Sequence, residues 1–144
     1  MRKILLLIIF ISTTIIFYGC NKHSNEDSPV SLSCVDISSL NNKKILNIIY
    51  DESLEEGVYQ IVTNSNKYIF FKGIKNEYTN INSTLDDKTL IINCNTTSSS
   101  EYSNKLYVIT EKNTTSSEDK NIFFNTIILK INNKETHFNS VQLI

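Results

Sequence analysis

The chain has 144 residues, 40% of them hydrophobic and 20% charged, with a formal net charge of −1. At ~100 to 200 residues per domain there is room for one core of ordinary size and not for two. Arg2 is the only arginine, so no concentrated basic face can form to neutralise phosphates, and nucleic acid is set aside as a partner.

Arg2 and Lys3 precede an apolar run from Ile4 to Tyr18, broken only by Ser12, Thr13 and Thr14, and Gly19-Cys20 follows at once. Charged residues, a short apolar run and then a small residue is the order of an export signal. A membrane-spanning helix fits less well, because fifteen residues at ~1.5 Å each cover ~22 Å of a hydrocarbon layer ~30 Å thick. Within this stretch Ile15-Ile16-Phe17-Tyr18-Gly19-Cys20 resembles the lipobox of bacterial lipoproteins, in which a small residue precedes a cysteine that is lipidated and becomes the new N-terminus. The resemblance implies a signal peptide over residues 1–19, a lipidated Cys20 and a place at the extracytoplasmic face of the cell membrane. Two acyl chains on one cysteine would hold a protein durably where one would not, at ~0.8 kcal/mol per buried CH₂. An uncleaved signal anchor and a eukaryotic secretory signal are the alternatives.

Residues 20–33 follow as a flexible tether. Asn21 to Ser33 contains two apolar residues and the only proline, a composition that cannot build a core. Deleting it is expected to leave the folded part intact.

From Cys34 to Ile144 the apolar residues come in short runs rich in Ile, Val, Tyr and Phe, separated by turn-forming residues. The spacing predicts strands at Val35–Leu40, Ile45–Tyr50, Val58–Thr63, Tyr68–Lys72, Tyr78–Ser83, Thr89–Cys94, Leu106–Glu111, Ile122–Ile131 and His137–Leu143. The expected fold is therefore a single all-β domain, a small antiparallel sandwich or barrel-like sheet. Asn132-Asn133 suits a type I′ hairpin, since Asn tolerates positive φ at both central positions. Asn64-Ser65-Asn66 and Asp86-Asp87-Lys88 carry similar turn chemistry. Asn95–Asn104 and Asn113–Asn121 read as exposed loops where function would sit. Only Asp51-Glu52-Ser53-Leu54-Glu55-Glu56-Gly57 looks helical, as one acidic turn closed by glycine, with an oxygen-rich cation site as its rival reading.

Alternation places Leu90, Ile92 and Cys94 on one face and Ile127, Leu129 and Ile131 on another. The doublets Phe70-Phe71 and Phe123-Phe124 put an aromatic on each face of their strands. Either a second layer covers both members, or Phe70, Phe71, Phe123 and Phe124 offer an aromatic patch to a protein partner.

With Cys20 assigned to lipid, Cys34 and Cys94 either form a disulfide or remain as two separate thiols. A bridge closing about sixty residues would contribute ~4 kcal/mol on the chain-entropy model. Nucleophilic catalysis needs a base beside the nucleophile. The one conceivable dyad is Cys94 with His137, and Cys94 lies in line with Leu90 and Ile92 on a core face. No cysteine pair has zinc spacing and no glycine-rich loop exists, so neither catalysis, nor a metal, nor a cofactor is expected.

Tyr68-Ile69-Phe70-Phe71-Lys72-Gly73, followed by Tyr78 and Thr89-Leu90-Ile91-Ile92, resembles the strand, glycine, turn, tyrosine and strand pattern of the PrcB-like C-terminal domain of bacterial surface proteins, with Glu77 where that family has glycine. The resemblance implies a protein-binding β domain. The functional expectation is a membrane-anchored lipoprotein whose β domain binds a protein or other envelope partner. A small solute- or cation-binding lipoprotein is the alternative, and a small envelope hydrolase the third reading.

Overall fold

A computed structural model describes residues 28–112 and 123–144. The signal segment, Cys20 and the loop expected at Asn113–Asn121 lie outside these residues. In chain order the elements are β1 (Val30–Val35), α1 (Lys43–Ile49), β2 (Gly57–Val62), β3 (Lys67–Gly73), β4 (Asn76–Asp86), β5 (Thr89–Ser98), β6 (Ser103–Glu111), β7 (Thr126–Ile131), β8 (Lys134–Thr136) and β9 (Val141–Leu143). The strands form two sheets, ordered β1-β6-β3-β2-β9 and β4-β5-β7-β8. The expected all-β sandwich is what the chain builds, packed face to face and not closed into a barrel. Its pairing is mostly antiparallel, with β2–β9 and β5–β7 running parallel.

Strand alternation sorts the side chains into two cores, one on each face of the five-stranded sheet. Between the sheets lie Val30, Val58, Ile69, Phe71, Tyr107 and Ile109 from one side and Tyr78, Leu90, Ile92, Cys94 and Leu129 from the other. On the outer face of the five-stranded sheet, Tyr59, Ile61, Phe70 and Leu106 pack against Ile45 and Ile49 of α1. The domain is thus three layers deep over that sheet: helix, sheet, sheet.

The expectation that Ile45–Tyr50 is a strand is overturned here. Asn42 caps the segment, its Oδ1 accepting from Lys44 N–H at 3.0 Å and Ile45 N–H at 3.3 Å. Ile45, Ile48 and Ile49 then share one face at i, i+3 and i+4, as a helix requires. β-branched residues are poor helix formers in isolation, and burial of Ile45 and Ile49 against the sheet, at 0% and 1% exposure, outweighs that propensity.

The boundaries move in other places too. The stretch read as tether contributes Val30–Ser33 to β1, and Val30 is 2% exposed in the inter-sheet core, so removing the first thirty-three residues would take out part of the core. Val35 ends β1; Asp36 caps a 3-10 turn over Ile37–Ser39, accepting from Ser38 N–H at 2.9 Å. Most of the loop expected at Asn95–Asn104 is strand, in β5 and β6. The strand expected over Ile122–Ile131 begins at Thr126. The run His137–Leu143 is not continuous: β8 stops at Thr136 beside β7, and β9 crosses to the other sheet beside β2. Asn139 anchors that crossing, its N–H donating to Val58 O at 2.8 Å and its Oδ1 accepting from Val58 N–H at 3.1 Å.

The turn chemistry holds. Asn132 and Asn133 have φ of 52° and 63° between β7 and β8, and Asp87 has φ of 49° between β4 and β5. Thr63 N–H donates to Asn66 O at 2.9 Å across the β2–β3 turn. β4 carries a bulge between Thr79 and Asn82, where Asn80 has φ of 51°; an extra residue at a sheet edge twists that edge away from further pairing.

Candidate functional site

The acidic turn between α1 and β2 is neither a helix nor a cation loop. It is a turn-containing connection with two anchors. Glu56, just before β2, turns its carboxylate onto the β3–β4 turn. Oε2 accepts from the backbone N–H groups of Ile74 at 2.7 Å, Asn76 at 2.9 Å, and Lys75; Oε1 accepts from Asn76 Nδ2. Burial works to raise this carboxyl, and the bonds from the Asn76 side chain and the Lys75, Ile74 and Asn76 amides outweigh it, holding the pKa at about 2. Successive N–H groups aimed at one point form an anion-binding concavity, and here the chain's own carboxylate fills it. Gly73 makes this turn possible: a Cβ there would stand 2.2 Å from Asn76 O.

The second anchor is Lys72, on the helix-side face of β3. It is 6% exposed, the only buried charged side chain among the described residues. Its Nζ donates to Asp51 O at 2.5 Å. Asp51 meanwhile caps its own turn, accepting from Ser53 N–H at 2.9 Å and Ser53 Oγ at 2.6 Å, and Tyr59 Oη donates to Glu55 O at 2.7 Å. Among the described residues no group of three or more His, Cys, Asp or Glu side chains is arranged to hold a metal ion.

The four phenylalanines offered as a partner patch are not a surface. Phe70 and Phe71 are fully buried on opposite faces of β3, Phe70 against Tyr59 at a ring distance of 6.1 Å and Phe71 against Tyr78 and Tyr107 at 5.4 and 5.7 Å. Phe124 is 2% exposed with Lys67 Nζ 4.7 Å from its ring centroid, and Phe123 is half-buried against the same core. Tertiary cover on both faces of the five-stranded sheet consumes both members of the first doublet. Exposed apolar side chains sit elsewhere: Tyr50 after α1, Tyr102 between β5 and β6, and Val141 and Leu143 on the edge strand β9.

Cys94 faces the inter-sheet core with Leu90 and Ile92, as the alternation predicts. It is a free thiol, so the bridge to Cys34 is not formed; Cys34, on β1 in the other sheet, is not a free thiol either. Burial pushes the Cys94 thiol up to about 11, which removes the thiolate a nucleophile needs at neutral pH. His137 is exposed in the segment between β8 and β9.

One open groove, of about 440 Å³, lies between the start of α1 and the β2–β3 turn. Asn42, Lys43, Lys44, Asn64, Asn66 and Tyr68 line it. No sequence pattern pointed to it, because its walls come from two turns that only the second core brings together. No described helix is long and apolar enough to cross a membrane. Compared with family models, curated proteins and solved structures, the chain matches none.

Proposed function

We propose that this chain is a lipid-anchored, extracytoplasmic protein, held at the membrane by acyl chains on Cys20, whose sandwich domain binds a protein or other envelope partner. The observation that carries the anchor is the order Arg2-Lys3, apolar run, Gly19-Cys20. A mature chain with twelve lysines, no arginine and fifteen carboxylates gains no electrostatic hold on an anionic leaflet, so the lipid alone must supply it. Binding is favoured over chemistry because the only thiol described as free is buried and strongly protonated, whereas Tyr50, Tyr102, Val141 and Leu143 stand exposed, and aromatic and aliphatic anchors within a polar rim are what an interface uses. The likeness of the β3-to-β5 stretch to the PrcB-like domain points the same way.

Cys20→Ala should move the protein from the membrane to the soluble fraction or block its processing. An N-terminal peptide in which unmodified Cys20 is still joined to Gly19 in most molecules would refute the anchor. His137→Ala should leave the cellular phenotype unchanged; loss of function at unchanged thermal stability would replace binding with catalysis. The groove beside Lys43 and Lys44 favours a second reading, in which the ligand is a small polar solute.

A further inference from the structure

β1, β9, β4 and β8 lie at sheet edges, and an edge offers a row of unpaired N–H and C=O groups to a strand of another chain. Three of them carry a guard. β4 has the bulge between Thr79 and Asn82, β8 carries Lys134 and Glu135, and β1 begins directly after Pro29, all devices that discourage edge-to-edge pairing. β9 carries none. Residues 138–144 contain no charged side chain and no proline, and Val141 and Leu143 stand 52% and 77% exposed.

The ladder with β2 fixes which backbone groups of β9 are open. Gln60 N–H donates to Ser140 O at 3.1 Å and Ile144 N–H donates to Val62 O at 3.0 Å, so the even-numbered residues turn their backbone groups to β2. Successive residues of a strand point these groups to opposite sides, which leaves those of Val141 and Leu143 on the open edge. A two-fold axis beside Gln142 sets Val141 of one chain opposite Leu143 of a second, and the reverse, each pair exchanging both N–H···O bonds. The exposed Val141 and Leu143 side chains share one face, and the same axis brings the valine of each copy onto the leucine of the other. The edge is self-complementary.

We propose that the domain pairs with a second copy of this chain, β9 to β9 and antiparallel, joining two five-stranded sheets into one. The inference rests on the protein-binding reading above and names its partner. Beyond Cys20 the chain has fifteen carboxylates against twelve lysines, so two copies repel over most approaches, and the uncharged edge is where they can meet. A contact between three-residue strands falls below the about 1,000 Å² expected of a stable interface in solution. A lipid anchor, which concentrates both copies in one plane, is the setting in which so small a contact forms.

The test is cysteine cross-linking of the full chain in cells. In the paired state Gln142 faces its own counterpart across a non-hydrogen-bonded pair, with Cα atoms about 4.5 Å apart, a separation that a disulfide spans. Under a mild thiol oxidant, Gln142→Cys should give a disulfide-linked dimer that the unaltered chain does not, while Lys134→Cys on the β8 edge stays monomeric. Adding Leu143→Lys to Gln142→Cys should remove that dimer, and the exposure of Leu143 lets the substitution leave both cores intact. A monomeric Gln142→Cys chain, equal cross-linking at Lys134→Cys, or a dimer that survives Leu143→Lys would each overturn the proposal. Cross-linking is read in whichever fraction holds the protein. A soluble chain then counts against the anchor, and a monomeric one against the pairing.

Discussion

The two faces of the five-stranded sheet are both covered, but they are sealed by different means. Toward the second sheet, strand meets strand, and alternating residues from seven strands interlock around Phe71, Tyr78, Ile92 and Leu129. Away from it, a single helix of seven residues and its flanking turns cover Tyr59, Ile61, Phe70 and Leu106. The first core is built by many elements, each contributing one to three side chains. The second rests on one short helix that would be marginal alone. A sheet with apolar residues on both faces thus gains a third layer from a segment whose own helix propensity is poor.

The largest expected effects come from emptying each core in turn. Phe71→Ala and Phe70→Ala should each destabilise the domain by about 3–5 kcal/mol, read by thermal or denaturant unfolding. If Phe70→Ala cost far less than Phe71→Ala, the helix-side core would be a loose cover and not a core. Glu56 tests the link between the turn below α1 and the β3–β4 turn. Glu56→Gln should cost about 1–2 kcal/mol at pH 7, discounted for its partial exposure. The sign with pH is fixed by the lowered carboxyl: its contribution is full above about 4.5 and is lost as pH falls through about 2, so the curves for wild type and Glu56→Gln should converge in acid. A constant gap from pH 7 to pH 2 would show that the charge is not what the three amides hold. The smallest effect belongs to the helix cap, where Asn42→Ala should cost about 1 kcal/mol, measured in the same way and with the helical signal in circular dichroism reduced.

How much of this could be read from the chain depends on which core a residue serves. Leu90, Ile92 and Cys94, and Ile127, Leu129 and Ile131, alternate with partly exposed neighbours, so their inward face was plain. Asn132-Asn133 announced its hairpin because few residues accept positive φ twice in succession. Phe70-Phe71 was ambiguous by nature: a strand covered on both faces loses its period, and only the second layer decides. Ile45 to Ile49 misled through composition, since isoleucine favours strands, although Asn42 as a cap and the i, i+3, i+4 spacing carried the helix. Val30 and Leu32 were hidden by Pro29 and the polar stretch before it. Glu56 meets amides eighteen to twenty residues away, and Lys72 meets the Asp51 carbonyl twenty-one residues away. Such long-range polar pairings leave no local signature.

Hydroxyl-radical footprinting of the folded protein, read residue by residue, tests the three-layer arrangement most directly. The expected result is equal and strong protection of Phe70 and Phe71, beside heavy labelling of Tyr50 and Tyr102, which are 65% and 78% exposed. Heavy labelling of Phe70 with Phe71 protected would mean that the outer face of the sheet is open, and would contradict the helix-sealed second core.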